Sequence, residues 1–281
     1  GTAEALSLKI CRPPDCTDIA VKQLIGTTKS PLALLMSQEL ATTDIAEIAA
    51  LAEVLLDFAD ANVIAHDYVQ AMIWTQTAAS VLSTQNRELT SPRVEKLLRL
   101  FGSLLPPFTA CQPTSPKKPK HKERWLHVFN QALPYGGHTA MATRWMQDGV
   151  ANRTHSVAVL AQKQDLPEEL RAAVRASGGK IHAADLTQSL LDRAAWLRSL
   201  AAANADYVVL HIDVEDVIAL SAFAAAGGPP VFLVNHAAHI YWNGASNVDV
   251  IVNCRGSKLE AHWTQAYRNA ARCATVPIPL S

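Results

Sequence analysis

Short apolar strands and helical stretches alternate along the chain from Trp125 onward. Alternation of this kind requires crossover connections between strands, which are right-handed and produce a parallel sheet. The sequence therefore predicts an α/β fold with a doubly wound, parallel, Rossmann-like sheet. The predicted strands are Trp125–Phe129, Ser156–Leu160, Lys180–Ala183, Tyr207–Leu210, Val231–Val234 and Val248–Val252, and the helices lie at about 138–148, 167–177, 187–203, 214–226 and 257–271.

The first hundred residues have a different pattern. Apolar residues recur at helical spacing within 43–61, 66–84 and 91–105. The third stretch has Ser91 as a cap and Pro92 at the first helical position, which is typical of a helix start. We expect a small all-α domain over residues 1–105, without a recognisable catalytic motif.

Residues 106–124 are rich in proline and lysine and almost free of apolar side chains. This composition is typical of a linker or an exposed loop. We interpret its basic run as a solvated connector rather than a phosphate-binding or lipid-binding patch. The predicted organisation is a helical domain at 1–105, a linker at 106–124 and a Rossmann-like domain at 125–281.

Composition narrows the class of protein. Hydrophobic residues make up 49% of the chain and charged residues 18%, so a large folded core is expected. The formal net charge is +0, which gives no reason to expect a nucleic-acid or anionic-membrane partner. The sequence contains no apolar run of the roughly 18 residues that a membrane span needs. Five cysteines without framework spacing, Cys11 and Cys16 included, are more typical of reduced cytoplasmic thiols than of disulfides or a zinc site.

Polar residues follow the first strand of the α/β region. Gly136, Gly137 and His138 lie between this strand and the next predicted helix. Glycines at such a junction let backbone N–H groups approach a ligand, and the helix dipole favours an anion there. The loop matches neither a dinucleotide fingerprint nor a P-loop. We interpret it as a ligand-facing loop without a nucleotide signature.

A second polar group follows the fifth predicted strand. Asn235, His236 and His239 come directly after Val234, at the sheet edge where open α/β sheets bind their ligands. The two histidines are three residues apart, so they share one face of a predicted helical turn. The positive end of that helix dipole would favour neutral imidazoles, which can accept a proton from a hydroxyl group.

The fourth strand also ends in polar residues. We expect Asp213 to cap the next helix and His211 to face the same cleft. A metal site is an alternative, because the side chains near these strand ends are of ligand types, although no compact motif such as H-E-x-x-H is present. A metal-dependent hydrolase is thus a second hypothesis, and a non-catalytic ligand-binding module a third. The candidate ligands are His211, Asp213, Asp216, His236 and His239.

Two of these loops resemble bacterial glycosyltransferases of the GT-B fold. The resemblance lies in Leu133–Thr139 with Arg144-Trp145, and in Asn235–Ser246 followed by Asp249 and Arg255, and it covers roughly 125–281. It implies transfer of a sugar from a nucleotide-sugar donor to a sugar, lipid or protein acceptor, without a metal or other cofactor. The implied catalytic residues are His138, His236 and His239, and the implied substrate-binding residues are Gly136, Gly137, His211, Asn235 and Arg255.

The resemblance also implies a division of labour. In GT-B enzymes the N-terminal Rossmann-like domain shapes the acceptor side, and a second domain, which binds the donor, follows it. Such enzymes cross into that second domain after a segment like 272–280, whereas this sequence stops at Ser281. We therefore expect an acceptor-side portion that is inactive without a donor-binding domain.

Overall fold

A computed structural model describes residues 45–84, 89–108, 122–148, 152–236, 240–258, 260, 262, 264 and 272–276. From Ala49 onward they belong to one unit, Ala49–Ser281; the other unit, Gly1–Ile48, is described only at residues 45–48. Cys11, Cys16, His239 and residues 109–121 of the predicted linker lie outside the described part.

Three helices precede the sheet, as predicted. They are α1 (Ile45–Ile64), α2 (Tyr68–Ser83) and α3 (Pro92–Leu104). Helix α3 begins as its sequence indicates, because the Ser91 hydroxyl accepts a hydrogen bond from the backbone N–H of Val94 at 3.3 Å. Residues 65–67 separate α1 from α2, and the Asp67 carboxylate caps α2 by accepting from the backbone N–H of Gln70 at 3.1 Å.

The sheet is parallel throughout and has the order β3-β2-β1-β4-β5-β6-β7. This confirms the predicted α/β class with a doubly wound, Rossmann-like sheet. The seventh strand was not predicted; it pairs with β6. The strands are β1 (Glu123–Phe129), β2 (Arg153–Val159), β3 (Ile181–Ala183), β4 (Tyr207–His211), β5 (Val231–Asn235), β6 (Val250–Asn253) and β7 (Cys273–Thr275).

Helices connect successive strands on both faces. From β1 the chain adds β2 and β3 on one side of the sheet, and then crosses to the other side of β1 to add β4 to β7. Because the crossovers are right-handed, the first two connecting helices lie on one face of the sheet and the next two on the other. The last of these four helices is shorter than the helix predicted at 214–226. The helices are α4 (Gly137–Asp148), α5 (Glu168–Ser177), α6 (Leu190–Asn204) and α7 (Ile218–Phe223). Residues 258, 260, 262 and 264 are also helical, within the stretch predicted at 257–271.

The core beneath α4 and α5 combines aliphatic and aromatic side chains. Phe129, Val157 and Leu170 are fully buried in it. Trp125 stacks on Tyr207, with ring centroids 4.6 Å apart. Burial of one large apolar side chain contributes about 1.5–3 kcal/mol to the stability of the fold. The packing of this layer therefore holds the ends of the strands in place.

A buried arginine joins the end of α3 to the helices beneath the sheet. The guanidinium of Arg198, on α6, donates to the carbonyl oxygens of Leu105, Pro106, Ser221 and Ala222 at 2.7–3.2 Å. These contacts tie the helical segment to the α/β part of the chain. The domain boundaries at 105 and 124 stay a prediction.

Candidate functional site

A cavity of about 290 Å³ opens at the carboxyl edge of the sheet, beside the ends of β4 and β5. Its position is the one that open α/β sheets use for ligands. Four segments supply its wall: the start of α4, the loop after β4, the end of β5 and the loop before β6. The lining residues are His138, Ile212, Asp213, Val214, Glu215, Leu233, Val234, Asn235, His236, Ile240, Trp242 and Asn243.

Two of the predicted catalytic histidines meet in this wall. The rings of His138 and His236 stack with centroids 3.3 Å apart and planes inclined by 10°. Burial lowers the pKa of His138, and burial together with the neighbouring His138 lowers the pKa of His236 to about 3. Two imidazoles in face-to-face contact repel each other when charged, so both rings are neutral near pH 7.

The physical cause of this neutrality differs from the one predicted for His236. The prediction relied on a helix dipole, but His236 lies in a bend, and the described residues between β5 and β6 form bends and a turn rather than a helix. Burial takes the place of the dipole as the main cause of the lowered pKa. His239, the predicted alternative base, lies outside the described residues.

Two amide side chains in the wall are half satisfied. Asn235 donates from Nδ2 to Asn253 Oδ1 at 2.9 Å, and Asn243 Oδ1 accepts from the Tyr241 hydroxyl. Within the described chain, no partner reaches Asn235 Oδ1, Asn243 Nδ2 or His236 Nε2. A buried polar atom left in this state costs about 1–3 kcal/mol, which a ligand group of matching polarity would recover. The residues that line the cavity therefore include two amides and an imidazole with unpaired polar atoms.

Carboxylates line the other side of the cavity. Burial raises the pKa of both Asp213 and Glu215. None of the described residues in the wall is a lysine or an arginine. The wall thus suits ligand groups that donate hydrogen bonds, and it is unfavourable for phosphate.

The predicted capping role of Asp213 belongs instead to Asp216. The Asp216 carboxylate accepts from the backbone N–H of Ala219 at 2.7 Å and from Asn130 Nδ2 at 2.6 Å, and burial raises its pKa to about 7. Asn130 Oδ1 in turn accepts from the backbone N–H of Asp213 at 2.7 Å. Asn130 thereby joins the ends of β1 and β4 and holds residues 213–216 outside the helix, which explains the late start of α7.

Three other predicted residues do not line the cavity. Gly136 ends the loop after β1, and Gly137 is the first residue of α4. The His211 side chain is buried behind the stacked pair, with its ring centroid 6.1 Å from that of His236. The roles assigned to them stay predictions.

The predicted Arg255 contact lies apart from the cavity. The Arg255 side chain is exposed, and its backbone N–H and that of Gly256 donate to the Glu260 carboxylate at 3.0 and 3.1 Å. Glu260 itself therefore fills the anion-binding position of this loop.

The metal alternative gains no support from the described residues. Among them, no three His, Cys, Asp or Glu side chains are arranged to hold an ion. Asp213 and His236 share the cavity, but His211 does not line it.

Sequence reasoning missed one residue that shapes the cavity. The buried carboxylate of Glu95, on α3, accepts from the backbone N–H of Gly244 at 2.6 Å and from the Ser246 hydroxyl. It fixes the loop that carries Trp242 and Asn243. The sequence did contain an indication of this role for Glu95, which shares the buried face of an amphipathic helix with Val94, Leu98 and Gly102. A carboxylate on such a face requires hydrogen-bond partners.

No family model and no curated protein matches the chain. Among solved structures it is similar to an O-GlcNAc transferase mutant from Thermobaculum terrenum, with 12% identity and a TM-score of 0.39 over 80% of this chain and 44% of that one. It is also similar to eIF2B beta from Chaetomium thermophilum, with 12% identity and a TM-score of 0.31 over 82% and 88%. The chain thus spans under half the length of the transferase. At these values neither protein's activity can be transferred to this chain.

None of the described helices is long and apolar enough to cross a bilayer.

Proposed function

We propose that the cavity binds the acceptor substrate of a GT-B type glycosyl transfer, in which a sugar passes from a nucleotide-sugar donor to an acceptor hydroxyl. The observation that carries this proposal is the neutral His138–His236 stack beside the unsatisfied amides of Asn235 and Asn243. The resemblance of the two loops to GT-B enzymes supports the same reaction class.

The chemistry of the wall favours a polyhydroxylated ligand. Hydroxyl groups both donate and accept, so a polyhydroxylated ligand has the donors that Asn235 Oδ1 lacks and the acceptors that Asn243 Nδ2 lacks. The carboxylates of Asp213 and Glu215 can accept hydrogen bonds from further hydroxyl groups of the ligand. Trp242 adds an aromatic surface against which the apolar C–H groups of a sugar ring can pack.

His236 is the proposed general base. As the acceptor oxygen forms its bond to the anomeric carbon, its proton moves to an imidazole nitrogen of His236, and the donor's phosphate oxygen leaves with the electrons of the broken C–O bond. The lowered pKa keeps the imidazole neutral beforehand, so that one ring nitrogen has a lone pair to accept the proton.

The donor's phosphates are expected to bind elsewhere. The described wall contains carboxylates and no cation, and the backbone N–H groups of Arg255 and Gly256, which lie apart from the cavity, already bind Glu260. A diphosphate next to Asp213 and Glu215 would be repelled. We therefore assign donor binding to another domain, with this part of the protein acting on the acceptor.

Ligand-observed NMR tests the proposal. Saturation transfer from the protein to glucose, galactose and N-acetylglucosamine is compared for the unmodified chain, His236→Ala and the control His182→Ala, whose residue lies on edge strand β3. The proposal predicts transfer to at least one sugar, a loss of at least fivefold in His236→Ala and no loss in the control. Equal transfer in all three proteins, or none in any, would contradict it.

A further inference from the structure

Three buried histidines form a continuous hydrogen-bonded chain beneath α4. His127 Nδ1 lies 3.1 Å from His211 Nε2, and His127 Nε2 lies 3.0 Å from His155 Nδ1. The three residues stand on neighbouring strands β4, β1 and β2, on one face of the sheet. The chain runs from the last residue of β4, behind the cavity, to the first half of β2.

This chain is isolated from solvent and from carboxylates. The exposed fractions of His127, His155 and His211 are 0%, 0% and 2%. Phe129 stacks on His211 at 4.8 Å, and Trp145 packs edge-on against His127 at 5.9 Å between ring centroids.

The charges around the three rings favour their neutral forms. Burial lowers the pKa of all three histidines, and to about 4 for His155, where Arg153 adds to the effect. At the other end of the histidine chain, the neighbouring rings of His138 and His236 add to the lowering of the pKa of His211. None of the described side chains that hydrogen-bond to the three rings is a carboxylate.

The atoms that make the contacts impose a rule on the protons. A neutral imidazole carries one N–H, and both links join an Nδ1 to an Nε2. If His211 donates from Nε2, His127 must accept at Nδ1 and donate from Nε2, and His155 accepts at Nδ1. If His155 donates from Nδ1, the direction reverses at every link. All three histidines therefore carry the proton on Nε2, or all three carry it on Nδ1.

The two ends of the chain lack partners. His211 Nδ1 and His155 Nε2 are buried, and nothing in the described residues hydrogen-bonds to either. If the network served only packing, apolar side chains would be more stable in its place, because each unsatisfied buried nitrogen is unfavourable. The end at His211 lies directly behind the stacked pair, 6.1 Å from His236 between ring centroids.

We propose that His155, His127 and His211 form one tautomer-coupled unit, in which His127 and His155 determine whether His211 presents a lone pair or an N–H toward the His138–His236 pair. His127 and His155 are thus positioning residues for the cavity. The inference concerns the resting protein and does not depend on the identity of the ligand.

Long-range ¹H–¹⁵N spectra of protein labelled with ¹⁵N-histidine test the rule directly, because protonated and unprotonated ring nitrogens resonate far apart. In the unmodified chain at pH 7 we expect the same tautomer at His127, His155 and His211. Unlike tautomers, or an imidazolium at any of the three, would overturn the proposal. This measurement needs no variant and no ligand, so its failure is distinct from failure of the proposed function.

A matched pair of variants tests the coupling. In His155→Asn the amide replaces the linking Nδ1, whereas His155→Leu removes the link. We expect the tautomer ratio of His211 to stay unchanged in the Asn variant and to shift in the Leu variant, with amide spectra confirming that both are folded. An unchanged His211 in the Leu variant would show that His155 does not position it.

Discussion

His138 and His236 stack across the carboxyl end of β4, with ring centroids 3.3 Å apart. One ring comes from the first turn of α4, after β1, and the other directly follows β5. Because β4 lies between β1 and β5 in the sheet, the stack bridges two strands that do not pair with each other. It closes the cavity on the side of the histidine chain, and burial favours the neutral form of both rings.

The neutral histidines make stability fall in acid. The pKa is about 3 for His236 and about 4 for His155 in the folded chain, against 6.5 for an ordinary histidine. Below pH 6.5 the unfolded chain therefore binds protons that the folded chain does not. Their stabilising contribution is present above pH 6.5 and is lost as the pH falls toward 4, at about 2 kcal/mol per histidine by pH 5.

Urea unfolding at pH 7 and pH 5 measures this effect. We expect His155→Asn to lose less stability than the unmodified chain between the two pH values. His66→Asn is the control, because His66 is exposed and has a positive φ that asparagine tolerates. The account is wrong if His155→Asn and His66→Asn have the same pH dependence.

Glu95 links α3 to the cavity loop. In Glu95→Gln the amide nitrogen replaces one of two oxygens that accept from Gly244 and Ser246. We expect a loss of about 1–3 kcal/mol in the free energy of unfolding and weaker sugar binding. Arg99→Ala is the control, since Arg99 contacts Ser246 only at the exposed surface. Equal losses in the two variants would contradict this role for Glu95.

Arg198 is the second buried link to the helical segment. Its planar fork reaches four carbonyl oxygens, and a lysine ammonium cannot reproduce that geometry. Arg198→Lys should lower the free energy of unfolding by about 2–4 kcal/mol in chemical denaturation. The control Arg171→Lys, which alters an ion pair with Glu168 on a half-buried side chain, should change it by less than about 0.5 kcal/mol. Similar stabilities for both variants would argue against Arg198 as an anchor.

Gly179 lies against the strand that carries His155. A Cβ atom at this position would overlap the backbone carbonyl of His155, whereas one at Gly137 would meet open space. Gly179→Ala should therefore destabilise the chain by about 1–3 kcal/mol and disturb the His155 ring resonance, and Gly137→Ala should do neither. The thermal midpoints and histidine spectra of the two variants give the answer.

Periodicity was enough to predict the sheet class and the three leading helices. Alternating apolar runs specify strands and crossovers, and Ser91-Pro92 marks the start of α3. Strand β7 was not predicted, and its three residues are a strand through their pairing with β6.

The candidate site could be predicted only in part. The polar residues after β1 and β5 indicated which loops meet, and His138, Asn235 and His236 do line one cavity. Their stacking depends on the lateral order of the strands. The roles of Glu95 and of the histidine chain likewise arise from contacts between residues far apart in sequence, which local patterns do not contain.

Ring resonances of His138 and His236, followed during titration with monosaccharides and separately with UDP, test the central claim most directly. The account predicts saturable shifts at both histidines with at least one sugar, and none with UDP, because the cavity wall is acidic and suited to hydroxyl groups. Shifts with UDP alone, or no shift at either ring with any of the sugars, would contradict the assignment of this cavity to an acceptor substrate.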